Sequence, residues 1–230
     1  MAIIDVKDVY KTYTENAVPV HAVNGVSFSV EKGEFIAIVG PSGCGKTTML
    51  NMIGGLDAAT KGKIIIEGED ISTLSPAQLV DFRLHNIGFV FQAYNLIPVL
   101  TVKENIKFIM ELQHKHKKEA EDRVKYLLEI LGMKDKIDVR PKYLSGGQQQ
   151  RVAVARALAS KPKFVLADEP TANLDSKSTE TLLDLMAKMN KDEEMTFIFS
   201  THDQRVMDRA HRIITLEDGK VIDDSRKMRG

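Results

Sequence analysis

Hydrophobic and polar positions change period along the chain, and each period predicts a different kind of element. Residues 26–30 alternate apolar and polar side chains, with the period of two that a half-buried strand shows. Residues 35–39 are apolar at every position, so we expect a strand that is covered on both faces. A turn at residues 31–34 separates the two, and residues 3–39 as a whole are interpreted as strands. Further strand-like runs lie at residues 63–66, 164–167 and 196–199.

Helical patterns fill most of the remaining chain. Helices are predicted to begin at residues 47–53 and at Pro76, because proline suits the first position of a helix. Residues 102–131 form a charged helical stretch, another helix follows residues 144–148, and a crossover helix is expected at 179–189. The positions that carry these patterns are Val124, Leu127, Leu128 and Leu131 in the charged stretch and Arg151, Val154, Ala155 and Leu158 in the next helix.

The tail and the middle of the chain complete the predicted architecture. Residues 212–221 are expected to form a hairpin that turns at Asp218 and Gly219. A basic cluster at residues 114–118 is either a solvated helix face or a contact patch. Strand-rich ends around a helical middle predict a mixed α/β core with an inserted helical lobe.

Composition narrows the class of protein without identifying it. The chain has 230 residues, of which 43% are hydrophobic and 28% charged, the balance of an ordinary globular domain. Lys plus Arg equals Asp plus Glu at 32 each, so no net field favours nucleic acid, and none is expected as a partner. No apolar run is long enough to span a bilayer, and residues 1–5 lack the features of a signal peptide. One cysteine excludes an internal disulfide framework, and no His/Cys cluster has metal-ligand spacing.

A glycine-rich loop, here called the phosphate loop, follows the apolar strand at residues 35–39. It matches the pattern G-x-x-x-x-G-K-[ST] between a predicted strand and a predicted helix, which is the context that a phosphate-binding loop requires. Its backbone N–H groups and the helix N-terminus would face phosphate oxygens. The lysine would reach the β- and γ-phosphates, and the threonine hydroxyl would ligate Mg²⁺. Its residues are Gly40, Pro41, Ser42, Gly43, Cys44, Gly45, Lys46 and Thr47.

A second glycine-containing run, here called the signature segment, is Leu-Ser-Gly-Gly-Gln at residues 144–148. By chance the loop pattern arises in roughly one chain per hundred of this length, and the signature run in roughly a few per ten thousand. Asp168 and Glu169 follow an apolar strand, where they suit either a helix cap or the metal and water of a hydrolytic site. His202 follows the next predicted strand.

The two motifs in this order resemble the ATP-binding-cassette (ABC) ATPases, and the resemblance runs through almost the whole chain. It implies an α/β fold with a P-loop NTPase core, an antiparallel β subdomain and an inserted α-helical subdomain. One domain would span residues 1–230, with its core at residues 1–92 and 160–230 and the helical subdomain at about 93–159. The implied cofactors are ATP and Mg²⁺.

The resemblance also implies roles for single residues around the γ-phosphate. Glu169 would be the catalytic carboxylate, and His202 the switch histidine that contacts the γ-phosphate. Gln92 would meet Mg²⁺ and the attacking water and link the site to a membrane partner, with Thr47 and Asp168 as the other metal-binding residues. The implied catalytic set is therefore Lys46, Gln92, Glu169 and His202.

A second set of residues would hold the rest of the nucleotide. Tyr13 resembles the aromatic residue that stacks on adenine, although an ordinary strand tyrosine is the alternative. In the family the signature segment closes over ATP that is bound to a second copy, so two chains arranged head to tail enclose two ATP molecules. Asp175 would meet the opposing subunit. Besides residues 40–47, this set comprises Tyr13, Thr48, Ser145, Gly146, Gly147, Gln148 and Asp175.

Residues around Gln92 resemble one branch of the family, that of lipoprotein release and macrolide export. This branch implies a homodimer on ATP binding, an integral membrane permease as partner, and a cytoplasmic location on the inner face of the cell membrane. A cell-division ATPase that regulates wall hydrolases is the near alternative. Cys44 stands where serine is commoner in the family, and its thiol is either activated by the loop or a small residue filling a tight turn.

Three other classes of protein share part of the pattern. A small-molecule P-loop kinase would use the same phosphate loop but has no use for the signature segment. A chromosome-maintenance ATPase would carry both motifs but separates them by a very long coiled coil. In this chain Lys46 and Ser145 are too close in sequence for such an insertion. A pure binding module is disfavoured because Glu169 and His202 are both present.

Overall fold

The computed structural model describes residues 2–14 and 18–227. Its strands are β1 (Ala2–Tyr13), β2 (Val20–Glu31), β3 (Phe35–Val39), β4 (Lys61–Ile66), β5 (Glu69–Asp70), β6 (Ile87–Val90), β7 (Phe164–Asp168), β8 (Thr196–Ser200), β9 (Arg212–Glu217) and β10 (Lys220–Arg226). Its α-helices are α1 (Lys46–Ile53), α2 (Pro76–Asn86), α3 (Val102–Leu112), α4 (Lys117–Ile130), α5 (Gly146–Ala159), α6 (Ser176–Glu193) and α7 (Gln204–Arg209). Short 3₁₀ turns lie at Ile71–Thr73, Lys134–Lys136 and Pro141–Tyr143.

The strands form two sheets of different character. The first is antiparallel, with the strand order β2-β1-β4-β5. The second has the order β10-β9-β3-β8-β7-β6, in which β9 to β6 are parallel and β10 pairs antiparallel at the edge. Because parallel strands all end at the same edge, the segments that follow β3, β6, β7 and β8 lie side by side there.

Two apolar clusters cover opposite faces of the parallel sheet, and β3 contributes to both. Phe35, Ala37 and Val39 belong to the cluster that includes α3 to α6, whereas Ile36 and Ile38 belong to the cluster that includes α1 and the antiparallel sheet. Side chains of a strand alternate between its faces, so a strand that is buried on both sides must be apolar throughout. The predicted doubly covered strand is confirmed.

The other predicted elements are largely confirmed, including the α/β fold with an antiparallel subdomain and the terminal hairpin. At the hairpin turn Asp218 and Gly219 both have positive φ, 46° and 75°, as a tight two-residue turn requires. Ser75 caps α2, and Pro76 occupies the first helical position. Gln78 completes a reciprocal capping box with Ser75. No helix in the described part of the chain is long and apolar enough to cross a membrane.

The charged stretch at residues 102–131 is helical, as predicted, but a turn divides it into two helices. Helix α3 ends at Leu112 and α4 begins at Lys117. His114 has a left-handed backbone with φ 55°, and the His116 side chain caps α4 by accepting a hydrogen bond from the Lys118 amide at 3.3 Å. The exposed basic cluster at residues 114–118 therefore forms the turn between two helices and the first turn of α4, not a continuous helix face.

Candidate functional site

The phosphate loop connects β3 to α1, as its sequence context predicted. Gly45 caps α1 in a left-handed conformation with φ 102°, and no side chain caps the helix. A Cβ atom at Gly45 would lie 2.2 Å from the Ala22 carbonyl oxygen, so another residue here would require the loop to move. The amides of Lys46, Thr47 and Thr48, in the first turn of α1, find no acceptor among the hydrogen bonds of the described residues. These donors and the helix dipole make the loop an anion-binding site.

Lys46 lies across the phosphate loop and is only 8% exposed. Its ammonium donates hydrogen bonds to the carbonyls of Gly40 and Pro41 at 2.8 and 2.9 Å. The Cys44 thiol, 3.9 Å from the same ammonium, is 4% exposed and packs in an apolar cluster. Because buried cysteines react slowly, the structure favours a packing role for Cys44 over an activated thiol.

Thr47 and Asp168 meet where α1 begins and β7 ends. The Thr47 hydroxyl donates to both carboxylate oxygens of Asp168, at 3.0 and 3.1 Å. A hydroxyl and a carboxylate are oxygen ligands of the kind that Mg²⁺ prefers. The described residues contain no group of three or more His, Cys, Asp and Glu side chains that could hold a metal ion by themselves. The pair therefore suits a cation that also takes ligands from phosphate and water.

Glu169 and His202 form a second pair at the same sheet edge. His202 Nδ1 lies 2.7 Å from Glu169 Oε1, and the Thr201 hydroxyl donates to Glu169 Oε2 at 3.4 Å. Because a carboxylate only accepts, Nδ1 carries the proton and Nε2 points away from the pair. The His202 side chain is 74% exposed and that of Glu169 16%. Glu169 has a positive φ of 44°, a backbone strain typical of functional positions.

A charged cluster supports the segment behind Glu169. Asp203 accepts hydrogen bonds from the Thr171 hydroxyl at 2.9 Å and from the Arg205 guanidinium at 2.7 and 2.9 Å. The Arg205 hydrogen bonds hold the pKa of Asp203 at about 2, well below its ordinary value. Asp203 therefore stays ionised at neutral pH and joins the start of α7 to the segment that follows β7.

Gln92 lies two residues beyond the end of β6, with an exposed side chain. Its backbone carbonyl accepts a hydrogen bond from Asn173 Nδ2 at 3.3 Å. The structure thus brings Gln92 to the same sheet edge as Glu169 and Asp168. In the described residues no hydrogen bond joins its side chain to Thr47 or Asp168.

The signature segment lies apart from the phosphate loop of the same chain. Ser145 caps α5 and is exposed, and none of the hydrogen bonds in the described ranges connects residues 144–148 with residues 40–48. A Cβ atom at Gly147 would lie 2.5 Å from the Ser178 hydroxyl. That hydroxyl donates to Asp175 at 2.7 Å, and the Ser178 amide and hydroxyl together lower the pKa of Asp175. The structure therefore joins Gly147 and Asp175 through Ser178.

Tyr13 is anchored by two residues that the sequence patterns did not single out. Its hydroxyl donates to Asp57 Oδ2 at 2.7 Å, Lys11 Nζ lies 2.5 Å from Asp57 Oδ1, and the same ammonium is 4.7 Å from the centre of the Tyr13 ring. Burial and then the Asp57 carboxylate raise the pKa of Tyr13, while the neighbouring Thr48 hydroxyl opposes them. Burial raises the pKa of Asp57, but hydrogen bonds from Lys11 and Tyr13 outweigh it and lower that pKa overall. Asp57 follows no motif, so only the fold could identify it.

Comparison with known proteins defines the class. The model of the ABC transporter family matches residues 23–172, a stretch that contains both the phosphate loop and the signature segment. The chain belongs to this family and is of its ATP-binding, ATP-hydrolysing type.

Particular relatives match nearly the whole chain. An ABC transporter ATP-binding protein of Thermotoga maritima is 46% identical over 95% of this chain and 93% of its own length. The lipoprotein-releasing system ATP-binding protein LolD of Aquifex aeolicus is 45% identical over 90% of this chain and 92% of its own length. The macrolide export ATP-binding/permease protein MacB of Mannheimia succiniciproducens is 42% identical over 99% of this chain but only 35% of its own length.

A solved structure is similar throughout. The ATP-binding cassette MJ0796 of Methanocaldococcus jannaschii, in a dimeric post-hydrolysis state bound to ADP and Pi, has a TM-score of 0.90 and 40% identity. The match covers 99% of this chain and 99% of that one. It confirms the predicted ABC ATPase fold.

Proposed function

We propose that this chain is the ATP-hydrolysing subunit of a membrane transporter of the lipoprotein-release or macrolide-export type. The meeting of two polar pairs at one sheet edge, Thr47 with Asp168 and Glu169 with His202, supports the hydrolytic part most strongly. Both pairs lie at the carboxyl ends of parallel strands, where α/β folds bind their ligands. The donors of the phosphate loop face the same edge.

In this proposal each group has a defined task toward the γ-phosphate. Loop amides and Lys46 bind the phosphates, and Glu169 orients and deprotonates the attacking water. His202 holds Glu169 Oε1 through Nδ1, and Oε2, which accepts only the long 3.4 Å bond from the Thr201 hydroxyl, keeps a lone pair for the attacking water.

Thr47, Asp168 and Gln92 would hold Mg²⁺ in the same site. The hydroxyl and carboxylate oxygens of the first two already lie together, which fits a hard cation with oxygen ligands. When bound, the ion neutralises phosphate charge. We also propose that residues 1–92 and 160–230 form the nucleotide-binding core and that about 93–159 form the helical subdomain.

The signature segment and Asp175 are proposed to act on ATP held by a second copy of the chain. Two observations support this: the segment makes no hydrogen bond to its own phosphate loop in the described ranges, and Ser145 is exposed at the start of α5. The similar cassette MJ0796 is a dimer in its post-hydrolysis state. A head-to-tail dimer would place the α5 N-terminus opposite the γ-phosphate.

An apolar groove supports a permease as the membrane partner. The groove has a volume of about 380 Å³ and lies between α2, α3 and the segment that contains Gln92. Val80 and Leu56 on its rim are exposed, and Phe91 and Ile97, which flank Gln92, line it. We propose that a short helix of the permease fills this groove and holds the chain on the inner face of the membrane. The export and release names of the relatives do not favour the cell-division alternative.

The permease proposal can be tested with one groove variant and one matched control. The partner to use is a four-span membrane protein found by searching the genes beside the coding sequence of this chain, co-expressed and purified in detergent. Val80→Glu is expected to reduce co-purification at least about 10-fold, because it places a charge in an apolar contact. Ile222→Glu changes an equally exposed apolar residue on β10 and should leave co-purification within about twofold of the native chain.

Co-purification and ATP hydrolysis test different parts of the proposal. Both variants should keep the ATPase rate of the isolated chain, since neither residue touches the phosphate loop. Equal co-purification of the two variants would contradict the groove as the docking site. A native chain that releases no phosphate from MgATP would contradict the hydrolytic part instead.

A further inference from the structure

Gln150 is a polar side chain in the apolar interior, on the second turn of α5, and is only 1% exposed. Its amide Nε2 lies 2.8 Å from the carbonyl oxygen of Pro170 and 3.4 Å from that of Phe91. Both partners are acceptors, so the nitrogen and not the oxygen of the amide must face them. Phe91 directly precedes Gln92, and Pro170 directly follows Glu169.

Both contacts lie just beyond the last paired residues of β6 and β7. Strands β6 and β7 are parallel neighbours, and their last paired residues are Val90 and Ala167. Beyond this pair β6 ends, whereas β7 continues beside β8: Asp168 pairs with Ser200, and the Glu169 amide donates to the Ser200 carbonyl at 2.8 Å. No ladder hydrogen bond therefore sets the spacing between the segment that contains Gln92 and the segment that contains Glu169. The single NH₂ group of Gln150 donates to both segments at once, and it sits on the helix that begins with the signature segment.

Other side chains hold the Gln92 segment by its backbone as well. Arg156, one turn and a half further along α5, donates to the carbonyls of Asn95 at 2.5 Å and Tyr94 at 3.2 Å. Asn173 donates to the Gln92 carbonyl. Helix α5 therefore contributes to the position of this segment, and Gln150 links the same helix to the segment behind Glu169.

The cost of this arrangement argues against a role in packing alone. The Gln150 Oε1 atom is buried, and it has no hydrogen-bond partner in the described residues. A buried acceptor without a partner destabilises a folded protein. An apolar side chain of the same size would fill the space without this penalty, so the donated bonds are the distinctive property of Gln150.

We propose that Gln150 is a positioning residue that keeps Gln92 and Glu169 in register with each other and with the signature segment. A displacement of α5 then moves both hydrolytic side chains together. The inference rests on the proposed function, because it requires Gln92 and Glu169 to act in hydrolysis. It assigns the mechanical link between α5, which begins in the signature segment, and the sheet edge that carries Gln92 and Glu169 to one amide group.

The test compares Gln150→Met with Gln149→Met in steady-state ATP hydrolysis. Methionine keeps the length of glutamine but removes the donors. Gln149 lies next along the same helix, and its amide donates only to the local Leu144 carbonyl at 3.2 Å. Gln150→Met should lower kcat about 10- to 100-fold, as misplacement by about 1 Å does, with KM for ATP changed less than about threefold. Gln149→Met should stay within about twofold of the native kcat.

A double variant separates positioning from a general loss of structure. In a Gln92→Ala background, Gln150→Met should lower kcat clearly less than it does in the native background, because part of its effect passes through Gln92. Additive effects, or a Gln150→Met chain as active as Gln149→Met, would overturn the inference. If Gln150→Met lowers the yield of folded protein, Gln150→Leu, which also lacks the donors and adds no charge, should show the same loss of kcat.

Glu169→Gln, measured in parallel, distinguishes a failure of the proposed hydrolytic site from a failure of the positioning role of Gln150. If Glu169→Gln is as active as the native chain, the proposed hydrolytic site is wrong. If Glu169→Gln is inactive while Gln150→Met and Gln149→Met both remain active, only the positioning role of Gln150 is wrong.

Discussion

The phosphate loop and the signature segment both lead into a helix N-terminus, yet the two helices begin in opposite ways. Helix α1 starts from Gly45 in a left-handed conformation without a side-chain cap. Helix α5 starts from a complete capping box, in which Ser145 and Gln148 each accept the other's backbone N–H. The same box opens α2 at Ser75 and α3 at Thr101. The signature segment therefore begins as an ordinary stable helix does, and the phosphate loop does not.

The difference has a consequence for ligand binding. An uncapped start leaves amide donors for an external anion, so the phosphate loop can bind phosphate within one chain. A capped start already satisfies some of its donors and is stable without a ligand. In the proposed dimer its remaining positive end would contribute only when a second chain brings a phosphate to it. Four experiments test or sharpen this contrast.

The largest effect is expected at the hydrolytic edge beside the phosphate loop. Glu169→Gln keeps the shape and the His202 contact but removes the base, so the hydrolysis rate should fall about 10²- to 10⁴-fold. ATP binding should remain, because Lys46 and the loop are unchanged, and the variant should accumulate as an ATP-bound dimer. Phosphate release and size-exclusion chromatography with MgATP measure the two outcomes. Hydrolysis at the native rate would remove Glu169 from this role.

The second experiment concerns the signature segment alone. Ser145→Arg places a bulky cation at the proposed seam, the contact between the two chains of the head-to-tail dimer. Hydrolysis should therefore fall at least about 100-fold, while ATP binding by the monomer stays nearly native. In native protein, specific activity should rise with concentration. Phosphate release and equilibrium binding of a fluorescent ATP analogue provide the measurements.

Mixing makes the second experiment sharper. A dimer of Ser145→Arg with Lys46→Ala has one site with both native motifs and one site with both lesions. Neither variant alone should hydrolyse ATP, and partial hydrolysis should return in the mixture if one intact site suffices. A concentration-independent ATPase with fully active Ser145→Arg would falsify the shared site.

A smaller effect is expected where Tyr13 is anchored. Asp57→Asn removes the charge that Lys11 pairs with and weakens the hold on the Tyr13 hydroxyl. If Tyr13 stacks on adenine, the Kd for ATP should rise about 3- to 10-fold, the effect of roughly 1 kcal/mol. Inorganic triphosphate, which lacks the base, should bind the variant and the native chain equally. Equal weakening for both ligands would assign Asp57 to the phosphate loop instead.

The smallest effect compares two identical capping boxes. Ser145→Ala and Ser75→Ala should each lower the free energy of unfolding by about 1 kcal/mol, because each loses one cap. Only Ser145→Ala should also lower hydrolysis, since Ser75 lies on α2, away from the proposed seam. Urea unfolding and phosphate release check the pair. Equal hydrolysis by the two variants would reduce the signature serine to a helix cap.

Much of the fold was readable from local sequence patterns. The period of two, the unbroken apolar run at β3 and Pro76 after Ser75 each reflect the physics of a single element, so each predicted its element correctly. The sequence did not predict the break at residues 113–116, where the charged helical stretch contains the left-handed His114. Spacing of apolar residues does not reveal a break whose turn is made by polar side chains.

Sequence alone also predicted which residues would carry the chemistry, because the phosphate loop, Glu169 and His202 stand in recognisable local patterns. Only the tertiary structure decided how they meet. Glu169 and His202 come within 2.7 Å because β7 and β8 pair in parallel and end together. Asp57 and Gln150 lie in no pattern that predicts their contacts, because their partners are distant in sequence. Local propensity acts over a few residues, whereas such contacts exist only once the sheets and helices have packed.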